Sequence, residues 1–482
     1  MKPMRRAAVL PALVLLLITA QAEEPAKGPN GPEVDPATLV RIRDRAMSSD
    51  WAYQHLAELT DRIGPRLAGS PQLDAAVRQV AQAMTEIGAK VQLQRVSVPH
   101  WVRGAEQAQI VEYPGQPPGI RQELHVTALG ASSATPDDGL TANVIVVQDF
   151  AELERRAAQV RGNIVLFAAH FDQRLADNGR AEDAYRQAGQ FRFGGPAAAA
   201  KLGAAAALVS SVGGAEFRLP HTGQTLWKAD QAPIPCGALA REDADLVARL
   251  AAQGAVRLKL LLTPRTLPDA ESANVIADWP GREHPEEFVV VSGHLDSWDL
   301  GTGATDDGVG VLGAAAVIAI LQQLDLHPRR TIRFIAWTNE ENGSRGADTY
   351  FASVRAKLDG HVAVLESDAG AGRALGIVAT VDKETLRILE PVSRALAPLG
   401  ATVLQRREGA VGADISDLQE AGVPGFAPLV DTRHYFDYHH TAADTLDKVD
   451  PESLRSQVAA MAVLAYFVAE RATALPRSAA AH

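Results

Sequence analysis

One cysteine, Cys236, stands in the whole chain. No intramolecular disulfide is possible, so the fold must rest on its packed core even if it works in an oxidising compartment. Positive charge is also short. There are 47 Lys and Arg against 58 Asp and Glu, a formal net charge of −11. An acidic surface of this kind excludes nucleic acid and anionic membranes as general partners. Long apolar runs are missing from the body of the chain. The longest, Val309 to Leu321, is Ala-rich and follows a Gly-rich turn, so it reads as a buried helix rather than a membrane span. No internal repeat and no long low-complexity tract is present.

What is there is the composition of a soluble globular protein, 46% hydrophobic and 22% charged. The N-terminus departs from it. Lys2, Arg5 and Arg6 precede a short apolar run, Ala7 to Ala20, and Ala20-Gln21-Ala22 has the small-x-small form of a cleavage site. We read residues 1–22 as a signal peptide and expect a secreted or periplasmic protein, with no membrane contact after cleavage. No cysteine follows the run, which argues against a lipid anchor. Losing the three basic residues takes the formal charge from −11 to −14. Residues 23–36, rich in Pro, Gly and charge, read as a mobile lead-in. The remainder is too long for one ordinary core and predicts two or three domains.

Ser70-Pro71 has the form of a helix start, a capping serine followed by proline at the first helical position. Leu73, Val77, Val80, Met84 and Ile87 then repeat at helical spacing, and Gly88 ends the run. A strand-like stretch follows at Val91 to Val98. From about Leu129 the texture changes. Asn143 to Val147 and Asn163 to Phe167 read as buried strands, Ala197 to Ala207 as an Ala-rich helix, Ala207 to Ser211 as a strand, and Glu242 to Ala251 as a helix. No ionisable cluster of catalytic spacing lies here. After Ser272 to Val275, short apolar strands alternate with helices: Phe288 to Val291, Thr331 to Trp337, Val362 to Leu365 and Gly425 to Val430. That alternation predicts βα units around a largely parallel sheet.

Sites in open α/β sheets form beyond the carboxyl ends of the strands. His294 and Asp296 follow the first of these strands, Glu340 and Glu341 the second, Glu366 and Asp368 the third. Asp306 and Asp307 open the apolar helix, and His440 and Asp444 sit in a loop before the last one. Taken singly, each has an ordinary explanation: a surface pair, a solvated carboxylate, a helix cap. Taken together, every strand end sends a His or a carboxylate to one edge. Burying so many carboxylates is unfavourable unless cations neutralise them. Nitrogen and oxygen donors without thiolate suit zinc or a similar divalent ion in a hydrolytic site. Gly301 to Gly310 lacks the Lys-Ser/Thr ending of a phosphate loop.

Particular motifs carry a family resemblance across nearly the whole chain after the leader. They are Ile63-Gly-Pro-Arg66-Leu-Ala-Gly-Ser70, Val98-Pro-His-Trp101-Val-Arg-Gly104, Gly293-His294-Leu-Asp296-Ser-Trp298-Asp299, Gly303-Ala-Thr-Asp306-Asp307-Gly, Asn339-Glu340-Glu341, Glu366-Ser-Asp368-Ala-Gly and His439-His440-Thr-x-x-Asp444-Thr. In that order they resemble the co-catalytic dizinc aminopeptidases, nearest the plasma glutamate carboxypeptidase (carboxypeptidase Q) type. The resemblance implies an α/β fold, a mixed and mostly parallel sheet flanked by helices, with a small α/β protease-associated domain inserted. The expected boundaries are 37–128 and 266–474 for the catalytic domain, 129–265 for the insert and 475–482 for a tail.

The resemblance also implies roles. His294 and Asp368 would bind one zinc, Glu341 and His440 a second, and Asp306 would bridge the two Zn2+ ions, which share a water. Glu340 would be general base and acid. Asp296 would fix the ring of His294, and Asp444 is a weaker supporting candidate. His439 and His434 rival His440 as ligand. The expected reaction is hydrolysis of dipeptides or of the N-terminal residue of a short peptide substrate, and relatives of this type often form a homodimer. Three alternatives stay open on the same fold: a binding protein without a working site, a one-zinc glutaminyl cyclase, and hydrolysis of a non-peptide amide by the same machinery. Asp431 to Tyr438 and Gly409 to Ser416 border the site without assignable roles.

Overall fold

The structure, a computed structural model, describes residues 34–477. The expected signal peptide, most of the lead-in and the last five residues lie outside the described residues. Two eight-stranded sheets organise the rest.

The first sheet takes the order Lys90–Val102, Arg265–Trp279, Arg330–Trp337, His284–His294, His361–Glu366, Gly425–Val430, Ala374–Ala379, Val403–Arg406. Its four central strands, Arg330–Trp337 through Gly425–Val430, run parallel. Antiparallel pairs flank them. The expected mixed, mostly parallel sheet is therefore present. These central strands are apolar on both faces because helices cover both. Register matters to function. His294 lies opposite Trp337 and Ser292 opposite Glu366, so neighbouring parallel strands end at one level.

The helix Val309–Gln323 is the centre of the core, with every residue from Val309 to Leu321 buried. Seven of these are Val, Leu or Ile, and burying each such side chain stabilises by about 1.5–3 kcal/mol. The stretch Ala304–Gln323 is long and apolar enough to cross a membrane, yet its apolar residues from Ala304 to Leu321 are all buried inside the protein. The C-terminal helix Pro451–Glu470 packs beside it, and the helix Pro71–Glu86 begins as expected. There the Ser70 side chain accepts from the Leu73 amide at 3.2 Å, a cap worth about 1 kcal/mol.

The second sheet is drawn from Glu106 to Leu262. Its parallel centre is Leu140–Val147, Ile164–Phe167, Ala206–Ser210 and Cys236–Leu239. The expected boundary at residue 129 falls inside this sheet, because Glu106–Glu112 pairs with Arg257–Leu262 along its length. The Ala-rich helix also differs from expectation. It spans Ala181–Lys201, and Ala206–Ser210 is already strand. Its charged first turns, Glu182, Asp183 and Arg186, disguise the helix, and Pro196 is accommodated inside it. The strand Arg265–Trp279 pairs with Lys90–Val102 nearly end to end.

Candidate metal centre

His294 is the last residue of its strand and is 1% exposed. Gly293 before it lets the strand approach the helix start: a Cβ there would lie 2.5 Å from Asp307 Oδ2 and 2.6 Å from the Val311 nitrogen. Asp307 holds both sides of this contact, accepting from the amides of His294 and Gly310, each at 3.1 Å. The imidazole is thereby aimed at the next turn. Its Nε2 lies 3.2 Å from Asp306 Oδ1 and 3.7 Å from Asp368 Oδ1.

Asp306 stands where the chain is extended (φ −133°, ψ 93°) just before the core helix. Its peptide bond to Asp307 is cis. Asp444 holds this segment, accepting from the amides of Thr305 at 2.6 Å and Asp306 at 3.2 Å. The second oxygen of Asp306 faces the other way, 3.1 Å from His440 Nε2, which is itself 2.9 Å from Glu341 Oε2. Two clusters result, His294–Asp306–Asp368 and Asp306–Glu341–His440. Asp306 belongs to both. His440 is the histidine that lies within reach of both Asp306 and Glu341. Its rival His439 stacks on it with ring centroids 3.6 Å apart and also reaches Asp306 Oδ2, at 3.3 Å. His434 is on the surface beside Asp437.

Asp296 acts differently from expectation. Its carboxylate accepts from the amides of Glu340 at 3.0 Å and Glu341 at 3.3 Å, fixing that turn. The atom facing His294 Nδ1, at 2.9 Å, is its main-chain oxygen. A carbonyl can only accept, so it selects the tautomer with a proton on Nδ1 and a free Nε2. Among the described residues no donor engages the Glu340 carboxylate, whereas Glu341 Oε1 accepts from the Trp298 amide at 3.2 Å.

The electrostatics follow from burial. Burial, then Asp306, raises Glu341 to about 7. Burial, then Asp368, raises Glu366 to about 8. Burial, then Asp306, lifts Asp444 to about 6. Glu340 is pushed well above the usual carboxylate range by burial and by Asp368, Glu341 and Asp296. Arg66, 0% exposed, lies among these carboxylates and opposes their charge. The donor set fits divalent ions on this chain's own geometry. Asp306 Oδ2 is buried and has no aligned hydrogen-bond donor, although an imidazole nitrogen lies 3.1 Å away. Imidazole nitrogens and carboxylate oxygens that converge in this way suit a shared divalent cation.

Several residues of the site were quoted in motifs without a role: Arg66, Asp307 and Glu366. Asp414 lies in the Gly409 to Ser416 segment. It is buried with neither oxygen partnered, while its amide and that of Ile415 donate to Glu366. Arg192, Thr222 and His221, which back His439 and His440, carry no local signal at all.

A family model described as Peptidase family M28 matches residues 274–465. Carboxypeptidase Q of Homo sapiens is 38% identical, over 91% of this chain and 90% of that protein. Carboxypeptidase Q of Mus musculus is 36% identical, over 89% and 87%. Among solved structures, a peptidase M28 precursor from Shewanella amazonensis shares 34% identity and a TM-score of 0.86, covering 92% of this chain and 98% of that one. A zinc aminopeptidase from Bacillus subtilis has the same fold, with a TM-score of 0.62 at 20% identity, over 89% and 97%. With strand ends that converge on a shared aspartate and with relatives that match along nearly their whole length, the chain belongs to peptidase family M28 and is a metallopeptidase hydrolase of the carboxypeptidase Q kind.

Proposed function

We propose that this chain is a secreted or periplasmic dizinc exopeptidase that hydrolyses dipeptides or the N-terminal residue of short peptides. The observation that carries the reading is the shared Asp306. One carboxylate presents an oxygen to each of two His-carboxylate sets, which is the arrangement a metal pair requires. His294 and Asp368 would hold one ion, Glu341 and His440 the other. When bound, the ions would supply Lewis acidity to the scissile carbonyl and to water.

The remaining work falls to the chain. Water adds through its oxygen to the carbonyl carbon, Glu340 takes the proton, the C–N bond breaks, and Glu340 returns the proton to the departing nitrogen. Glu340 suits this because its main chain is pinned by Asp296 while its carboxylate is left without a protein donor. Asp444 keeps Asp306 aimed at both sets. Substrate would approach along a cavity of about 830 Å3 that borders Asp368 and is lined by Arg373, Arg407 and Arg433. Arg407 and Arg433 pair with Glu182 and Asp431, whereas Arg373 makes no ion pair among the described residues. A guanidinium there suits the free carboxylate of a short peptide. The secreted placement rests on residues 1–22, and the second sheet is read as the protease-associated layer.

The test is a panel of one dipeptide in free, N-acetylated and C-amidated forms, assayed with wild type and with Glu340→Gln. The reading expects cleavage of the free form, sharp loss on N-acetylation, a higher KM on amidation, and loss of at least about 100-fold in kcat for Glu340→Gln. Near-normal turnover by Glu340→Gln would remove the base assignment. Equal cleavage of all three forms would remove the exopeptidase assignment.

A further inference from the structure

His440, in the turn after the short helix Tyr435–Tyr438, is oriented by residues of the second-sheet layer. A histidine that ligates a metal through Nε2 carries its proton on Nδ1, and that N–H needs an acceptor. Two groups lie within reach of His440 Nδ1, both at 3.3 Å: the main-chain oxygen of Thr222 and Arg192 Nη1. Arginine has donors only, so the acceptor is Thr222. The same two residues pair again, since the Thr222 amide donates to the His440 oxygen at 3.0 Å. His440 itself sits at φ +58°, a region non-glycine residues seldom occupy without outside support.

Arg192 is built into this contact. It lies on the helix Ala181–Lys201, is 2% exposed, and its Nη1 also donates to Thr222 O at 3.3 Å and to Tyr185 Oη. It fits only because residue 223 is glycine: a Cβ there would stand 2.3 Å from Arg192 Nη1. Thr222 is held in turn. Its Oγ1 donates to Ala128 O at 2.9 Å and accepts from Arg103 Nη2 at 3.2 Å, and Arg103 clasps Asp299 in the loop after His294. The corresponding acceptor for His294, Asp296 O, comes from the first sheet itself.

We infer that Thr222, whose main-chain oxygen fixes the ring and tautomer of His440, and Arg192, which holds that oxygen in place, are positioning residues supplied by the second-sheet layer, so that this layer sets metal affinity at the Asp306–Glu341–His440 position and not at the other. This rests on the two-ion reading above. Losing a partner that orients a metal-ligating histidine costs about 10–100-fold in metal affinity.

The experiment is zinc binding to the full chain, measured by chelator competition on wild type, Arg192→Met and Arg192→Lys, with the urea midpoint of each zinc-free protein. We expect two tight sites in wild type. In Arg192→Met one site should weaken about 10–100-fold while the other is unchanged, and Arg192→Lys should fall between. Arg192→Gln, which removes the charge and keeps an amide donor, should also fall between and stands in for Arg192→Met should that variant not fold. Two unchanged sites would overturn the inference. So would equal weakening of both sites together with a lower zinc-free midpoint, which is the mark of a merely structural role. Fewer than two sites in wild type would instead overturn the two-ion reading.

Discussion

Replacing Arg66 by methionine keeps most of the side-chain volume and removes the charge and every donor. Arg66 is fully buried. Its Nε donates to Leu295 O at 2.7 Å, Nη1 to Gly64 O at 3.3 Å and to Thr302 O, and Nη2 to Gly303 O at 3.0 Å. Burial lowers its pKa to about 10, while Asp444, Asp296, Asp307 and Glu341 oppose that, so it stays charged at neutral pH. A buried carbonyl left without a donor costs about 1–3 kcal/mol. Breaking a buried ionic cluster by removing one member costs about 3–5 kcal/mol. The carbonyls can relax toward water and the carboxylates act from beyond contact distance, so we take the expected loss as about 3–5 kcal/mol rather than the sum, a large share of ordinary domain stability at about 5–15 kcal/mol. Arg66→Lys should recover part, since one ammonium cannot reach four carbonyls on two segments. Equilibrium urea unfolding at pH 7, on zinc-free protein, reads the difference as a midpoint shift at constant slope. A loss below about 1 kcal/mol for Arg66→Met would refute the reasoning, because the carbonyls would then have found water or the segment would be loosely held.

Other outcomes follow from the same geometry. Asp306→Ala should lose zinc at both positions, measured by metal analysis after dialysis; retention of one ion at full affinity would contradict the shared role. Asp296→Asn keeps one acceptor oxygen and loses the other, so kcat should fall while zinc content holds; unchanged kcat would show that the Glu340–Glu341 turn needs no such anchor. Burial lowers His361 to about 4, helped by Arg333 and Arg477. Its folded pKa lies below its unfolded value of about 6.5, so its contribution is complete above pH 6.5 and is lost as pH falls toward 4, by at most about 3 kcal/mol. Unfolding free energies across that window should show a shallower pH slope in His361→Gln than in wild type; equal slopes would contradict the burial argument. Burial raises the Cys236 thiol to about 12, so iodoacetamide at pH 8 should label it only after unfolding; native labelling at a free-thiol rate would show the site to be open.

The central architecture was legible because it is written in local pattern. Buried parallel strands give short apolar runs, and the residue after each run is the one the sheet delivers to the site, so His294, Glu340, Glu341 and Asp368 could be read from strand ends alone. Asp306 stood out less by pattern than by its place before a helix too apolar to be on the surface. The roles of Asp296 and Asp444 were less readable, because a carboxylate two or four residues from a histidine does not reveal which amide it will cap. Arg66 looked like part of a turn, since nothing in its neighbourhood says that four carbonyls from residues 64 and 295–303 will converge on it. Arg192 and Thr222 were invisible for a deeper reason. Their partner lies more than two hundred residues away and on another sheet, and one of the two contributes only its main chain, which leaves no residue-type signal.

The most direct measurement is zinc per chain on the purified protein, read beside dipeptide hydrolysis before and after chelation. The account predicts two zinc ions per chain, loss of hydrolysis when they are removed, and its return when zinc is added back. A single zinc with full activity, or hydrolysis that survives complete removal of metal, would contradict it.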